Sequence, residues 1–266
     1  MKKRASKPIE SLAKTLLPGQ SRRMGKIKAQ VKAGHNPGLG FLHIPKTGGS
    51  GIRELGRKAV RASQPFPIGF SHGWTLAEIR RRFPQMRLAF ILRDPLERAI
   101  SGFNSRLRQG RPTYKSLWKP AEAAAFAHFP EVERWLDALL ADDDLSLSAC
   151  AYARRHVTHL RWNYRYYFRN PEAVAEHADH LVLIGRIERT DDFIEALLAE
   201  AGIPPERAAG LYARRHEAQV RPSKVLARYG EGDLARLRAR FAEEYAIHEA
   251  LLALGRAPRA ADAPAA

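Results

Sequence analysis

Three short runs, at residues 39–44, 87–92 and 181–185, are mostly apolar, and each breaks into a polar turn that opens onto a segment with helical spacing. Runs of this length with little internal alternation read as strands buried on both faces, the pattern of a parallel sheet. After the first, Ile52, Leu55 and Ala59 repeat on one helical face over residues 49–60. After the second, Leu96, Ala99, Ile100, Phe103 and Leu107 do the same, and the third leads into a predicted helix at 191–201. Strands alternating with helices predict an α/β fold, a mostly parallel central sheet flanked by helices, with ligands taken at the carboxyl ends of the strands. A weaker strand at 66–71 ends at His72 and precedes a short helix stopped by Pro84. Helical segments are expected near 121–128, 131–141 and 147–169. A single final helix over 232–254 is expected to lay Leu234, Leu237, Phe241, Tyr245, His248 and Leu252 against the sheet.

A chain of 266 residues, 45% hydrophobic, can bury one substantial core. One domain over residues 37–256 is therefore expected, between a basic extension at 1–36 and an Ala/Pro-rich tail at 257–266. The formal charge is +17, but the first 35 residues hold ten Lys or Arg against one Glu, so +9 of it sits in the extension. That extension reads as solvated and partly helical, suited to peripheral contact with an anionic surface rather than to sequence-specific nucleic-acid binding. It lacks the apolar run of a secretory signal or a membrane span, and Cys150 is the lone cysteine; a cytoplasmic, reducing location is the expectation.

The chemistry concentrates in the turns. Pro45-Lys46-Thr47-Gly48-Gly49-Ser50 has glycines that let the backbone approach a ligand, a lysine beside them, and a helix start that supplies unpaired N–H donors and partial positive charge. A plain strand-to-helix turn with a surface lysine is the alternative for this segment taken alone. The second turn, Arg93-Asp94-Pro95, is followed by Arg98 and Ser101, so that a guanidinium and a hydroxyl can converge on one phosphate. Two anion cradles at strand ends suit a ligand with two phosphate-bearing ends. Lys46 precedes the glycines, whereas a Gly-x-x-x-x-Gly-Lys loop places its lysine after them, which weakens a kinase reading. A sulfuryl group carries one negative charge in flight, so its transfer can do without a metal, and none is expected. His72, which titrates near neutral pH, is the first candidate for a general base, and Glu54 the second. His156 and His159, three apart, have the spacing of a metal pair without an evident third ligand.

Together, HIPKTGGS at 43–50 and ILRDPLERAISGF at 91–103 resemble the paired cofactor motifs of the sulfotransferase family, most nearly the family-2 type that sulfates carbohydrates. The likeness spans roughly residues 40–110 and implies a P-loop-like sulfotransferase fold. It also implies 3′-phosphoadenosine 5′-phosphosulfate as co-substrate. Lys46, Thr47, Gly48, Gly49, Ser50 and Gly51 would hold the 5′-phosphosulfate, and Arg93 and Ser101 the 3′-phosphate. Arg106, Arg108 and Arg111 are candidates to extend that site or line an acceptor groove. Family members often carry His-Gly-His where this chain has His72-Gly73-Trp74, and Trp74 is a candidate to stack on a sugar ring. Residues 221–230 resemble a late loop that closes over the cofactor, adding Ser223 and Lys224. The acceptor implied is a hydroxyl of a carbohydrate or glycoconjugate; the arginines and tyrosines of 152–167 are candidates to bind its acids and rings. Unlike the Golgi enzymes of similar motif, no anchor is expected, and the Ala/Arg-rich composition suits a bacterial enzyme. A small-molecule kinase and a non-enzymatic polyanion-binding protein are the competing readings.

Overall fold

The computed structural model describes residues 18–112, 114–208, 211 and 221–256. Four strands, β1 (Asn36–Leu42), β2 (Pro67–Phe70), β3 (Arg87–Leu92) and β4 (Leu181–Arg186), form one all-parallel sheet in the order β2-β1-β3-β4. The chain leaves β1 toward β2 on one side and returns to β3 on the other. The strand order therefore reverses between β1 and β3, which opens a crevice at their carboxyl ends.

The strands are buried on both faces, as their apolar runs require. On β3, Leu88, Phe90 and Leu92 face one core while Ala89 and Ile91 face another, the period of two expected of a pleated strand. The second core is closed by the helix after β1, at Gly49–Arg61, and by the helix after β4, at Thr190–Glu200, through Ile52, Leu55, Phe193 and Leu197. The first core is closed by helices at Pro18–Lys32, Leu76–Arg82, Tyr164–Phe168, Pro171–Glu176 and Ala242–Ala253. A third apolar cluster lies among helices and is built around Phe103, Trp135 and Phe241. In chain order we label the elements used below α1 (Pro18–Lys32), α2 (Gly49–Arg61), α3 (Leu76–Arg82) and α4 (Pro95–Leu107). Among the described residues no helix is long and apolar enough to cross a membrane.

Three expectations change. The basic segment before β1 is not wholly a solvated extension: α1 buries Met24 and Ile27 in the core, and Gln30 bonds both the N–H (2.7 Å) and the C=O (3.1 Å) of Gly69. Gln30 thereby satisfies an outward peptide group of the edge strand β2, which would otherwise be unpaired. The final helix is two, Glu231–Ala239 and Ala242–Ala253, broken where Arg154 donates to the carbonyl of Arg240 (3.0 Å) and Phe241 turns inward. The long helix expected at 147–169 is three shorter ones, at Asp144–His156, Thr158–Arg161 and Tyr164–Phe168. The Ala/Pro tail and residues 1–17 lie outside the described residues.

Candidate functional site

The loop from β1 to α2 is wound tightly, with Lys46 at φ 69° and Gly48 at φ 88°. The left-handed region costs a lysine about 1–2 kcal/mol, so its neighbours must hold it there. Thr47, buried, donates its hydroxyl to the Ile44 carbonyl (3.0 Å) and closes the loop from below. Arg93 Nη1 lies 3.4 Å from the Lys46 carbonyl, tying this loop to the one after β3. A Cβ at residue 49 would lie 2.1 Å from Cδ2 of His43, so only glycine lets the backbone settle over that ring. Gly51, by contrast, has nothing within 4 Å of a Cβ position. Gly48 is the N-cap of α2 and offers no side-chain acceptor, and no acidic residue stands in the first turn. The amides of that turn, Gly49 and the exposed Ser50 among them, are left for an external anion.

The second loop is arranged differently. Arg93 is tied through its backbone to Tyr164, whose hydroxyl accepts from Arg93 N (2.8 Å) and donates to Arg93 O (2.6 Å). Its guanidinium pairs with Glu97 at 3.1 Å. Asp94 braces neither Arg93 nor Arg98; it caps α4 by accepting from Glu97 N (2.9 Å) and also accepts from the Tyr245 hydroxyl (2.8 Å). Along α4, Glu97, Ser101, Asn104 and Arg108 recur at helical spacing and share one side. The charges of Arg108 and Arg93 both act on Lys46, so this side faces the loop. Ser101 and Asn104 are each 9% exposed, and Asn104 Nδ2 has no partner among the described residues. Burial, then the charges of Arg108 and Arg93, lower the Lys46 ammonium to about 8.

Beneath the loop three imidazoles meet. The His43 and His72 rings lie 4.3 Å apart between centroids, and His72 and His159 6.0 Å. His72 Nδ1 is 2.8 Å from the His43 carbonyl; a carbonyl only accepts, so Nδ1 carries the proton and Nε2 is left with the lone pair. Burial lowers the His72 pKa and that hydrogen bond raises it, with Arg53 and Lys46 adding to the lowering; the net direction is down, toward the neutral ring. His43 and His159 are held well below the ordinary histidine range, by burial first and by neighbouring charges including Lys46. Trp162 packs on the other side of His72, at 5.3 Å.

Lys46, Arg93 and His72 are thus brought together at the strand ends, with Gly48, Gly49, Ser50 and Gly51 in the loop and first turn beside Lys46, and Ser101 on the side of α4 that Arg108 shares. Thr47 belongs to the loop as a brace. Glu54 pairs with Arg57 on α2, and that ion pair favours its charged form and makes it a poor base. Ser223 and Lys224 are exposed on a short helix, Pro222–Leu226, rather than on a closing loop, and among the described residues neither bonds to Lys46 or Arg93.

Trp74 cannot stack on a sugar: it is a 2% exposed core side chain packed on Phe70, with the Arg23 guanidinium 4.2 Å from its ring centroid. Arg98 is fully buried, paired with Glu244 (3.1 Å) and donating to the carbonyls of His159 and Trp162. It carries that segment to His72 instead of binding phosphate. Arg106 is likewise buried against Glu122 (2.8 Å). Of the arginine trio only Arg108 has a charge that acts on Lys46. Of the candidate acid-binding surface at 152–167, Tyr164 and Tyr167 are core residues and Arg154 pairs with the buried Glu244, whereas Tyr152, Arg155, Arg161 and Arg165 are exposed, Arg165 in a surface pair with Glu243. His156 packs on Tyr152 and His159 enters the crevice, so they do not form a metal pair. Among the described residues no group of three or more His, Cys, Asp or Glu could hold a metal.

His43 and His159 were not identified as site residues from the sequence. His43 had a usable signal: it ends a strand immediately before a loop whose glycine leaves it room. His159 packs on Gly102, where a Cβ would lie 3.2 Å from that of His159.

Comparison with protein-family models, with curated proteins and with solved structures returns no match.

Proposed function

We propose that the protein moves a sulfuryl group from 3′-phosphoadenosine 5′-phosphosulfate to a hydroxyl of a carbohydrate or glycoconjugate. The observation that carries this reading is the junction of the two strand-end loops, where Arg93 lies 3.4 Å from the Lys46 carbonyl at the point of strand reversal. Two anion-binding elements held this close suit one ligand with phosphate groups at both ends. The residues present fit it. The uncapped start of α2 and Lys46 would hold the phosphosulfate, while Arg93 and Ser101, with Arg108 and the unpartnered Asn104 amide, would hold the 3′-phosphate.

The donor supplies an activated sulfuryl group. The acceptor oxygen bonds to sulfur as the bond from sulfur to the 5′-phosphate oxygen breaks, and the electron pair leaves with the phosphate. His72 Nε2 takes the hydroxyl proton, its tautomer fixed by the His43 carbonyl. Lys46 neutralises the leaving phosphate, and an ammonium lowered to about 8 is mostly charged at neutral pH yet able to share its proton. In a mass-spectrometric screen of glycan acceptors, the expected result is a sulfate gain with donor present and none with Lys46→Ala. A thermal shift with ATP and Mg²⁺ but none with 3′,5′-bisphosphoadenosine would overturn the reading in favour of a kinase.

A further inference from the structure

A second cavity lies beside the crevice, between α1, α2 and the edge strand β2, with a volume of about 410 Å³. That falls at the lower end of the ~300–1,000 Å³ range of small-molecule sites. Its floor is apolar and aromatic, with Phe41, Phe66 and Phe70, and its rim is basic. Arg23 and Lys26 come from α1, and Arg53 and Arg57 face them from α2. Among the described residues no aspartate or glutamate lines it. Arg23 and Arg57 are matched by Glu78 and Glu54, which stand outside the lining, whereas Lys26 and Arg53 have no carboxylate partner among the described residues. Like charges set across a concave, low-dielectric wall raise the local potential and leave a counter-charge to be supplied from outside.

The cavity adjoins the candidate base. His43 lines it and is in ring contact with His72, and Ser71, the residue before His72, lines it too. We infer that this cavity takes the acid group of a sugar, its carboxylate or sulfate ester set between Lys26 and Arg53. Resting on the transferase reading of the neighbouring crevice, this makes the pocket the anchor of an acidic acceptor whose free hydroxyl reaches His72. The basic α1 then has a use beyond covering the sheet edge: it contributes half of the rim.

The test is a ligand-observed NMR titration of the full-length protein with methyl glucuronide, methyl glucoside 6-sulfate and uncharged methyl glucoside. It is run on the wild type, on Lys26→Ala/Arg53→Ala and on the charge-preserving Lys26→Arg/Arg53→Lys. At least one acid should bind the wild type tenfold or more tighter than the neutral sugar. The alanine pair should lose that tenfold and the charge-preserving pair should keep most of it. Which acid binds better distinguishes a carboxylate from a sulfate ester. Equal binding of the neutral sugar, no binding of either acid, or full retention by a folded alanine pair would overturn the inference. A parallel titration of the wild type with 3′,5′-bisphosphoadenosine separates the two proposals: failure there alone removes the transferase reading and leaves the acid pocket standing.

Discussion

The helices α2 and α4 both start at the crevice, directly after neighbouring strands, yet their N-termini are finished in opposite ways. At α4, Asp94 caps the first turn, Glu97 adds a second carboxylate, and Arg93 is paired to Glu97. At α2, Gly48 caps nothing and no acid stands in the first turn. An N-cap acid and a first-turn carboxylate stabilise a helix start by roughly 0.5–2 kcal/mol, so their absence at α2 is stability forgone where an anion can take their place. One start is complete by itself; the other is complete only with a ligand. The expected two-ended clamp is therefore asymmetric: its α2 side is open, while its α4 side must share Arg93 with an internal carboxylate.

Substitutions can break or sharpen that contrast. The largest effects belong to the open side. Lys46→Ala should lower turnover by about 10²–10³-fold, the cost of removing a donor aimed at developing charge. His72→Ala should lower kcat by about 10²–10⁴-fold while leaving bisphosphoadenosine affinity intact, the signature of a general base rather than a binding group. Gly49→Ala drives a methyl into His43 and should cost about 1–3 kcal/mol of stability with loss of bisphosphate binding; the matched Gly51→Ala, with open space around it, should do neither. Calorimetric titration and thermal unfolding of the pair check this, and equal behaviour of the two would remove the role given to the loop's close approach.

On the closed side the effects are smaller. Asp94→Ala removes the cap and the Tyr245 partner, and should cost about 1 kcal/mol in denaturant unfolding. Glu97→Gln frees Arg93 and should tighten bisphosphoadenosine binding several-fold. Weaker binding in that variant would mean that Glu97 orients Arg93 for the ligand instead of competing with it.

Much of this was legible in the chain. Residues 87–92 read as a strand because both faces are buried, and the two turns read as anion cradles because glycine, lysine and arginine sit where strands end. What was not legible depended on contacts made across long separations. Arg98 looks like a phosphate ligand from its spacing, but Glu244, remote in sequence, buries it. Trp74 looks available until α1 folds over the sheet edge and sets Arg23 on its ring. His159 packs on the gap at Gly102, and Arg154 reaches the Arg240 carbonyl at the break in the last helix.

The most direct test of the open cradle is the pH dependence of bisphosphoadenosine binding to the wild type and to Lys46→Ala, measured calorimetrically from pH 7 to 9.5. The free protein holds Lys46 at about 8, by burial and then by the charges of Arg108 and Arg93, and the anion binds the protonated form. Wild-type affinity should be level below pH 8 and fall as pH rises through it, approaching about tenfold per unit, with Lys46→Ala weaker and without that fall. Affinity that is equal in the two proteins, or that falls identically in both, would contradict a ligand seated on Lys46.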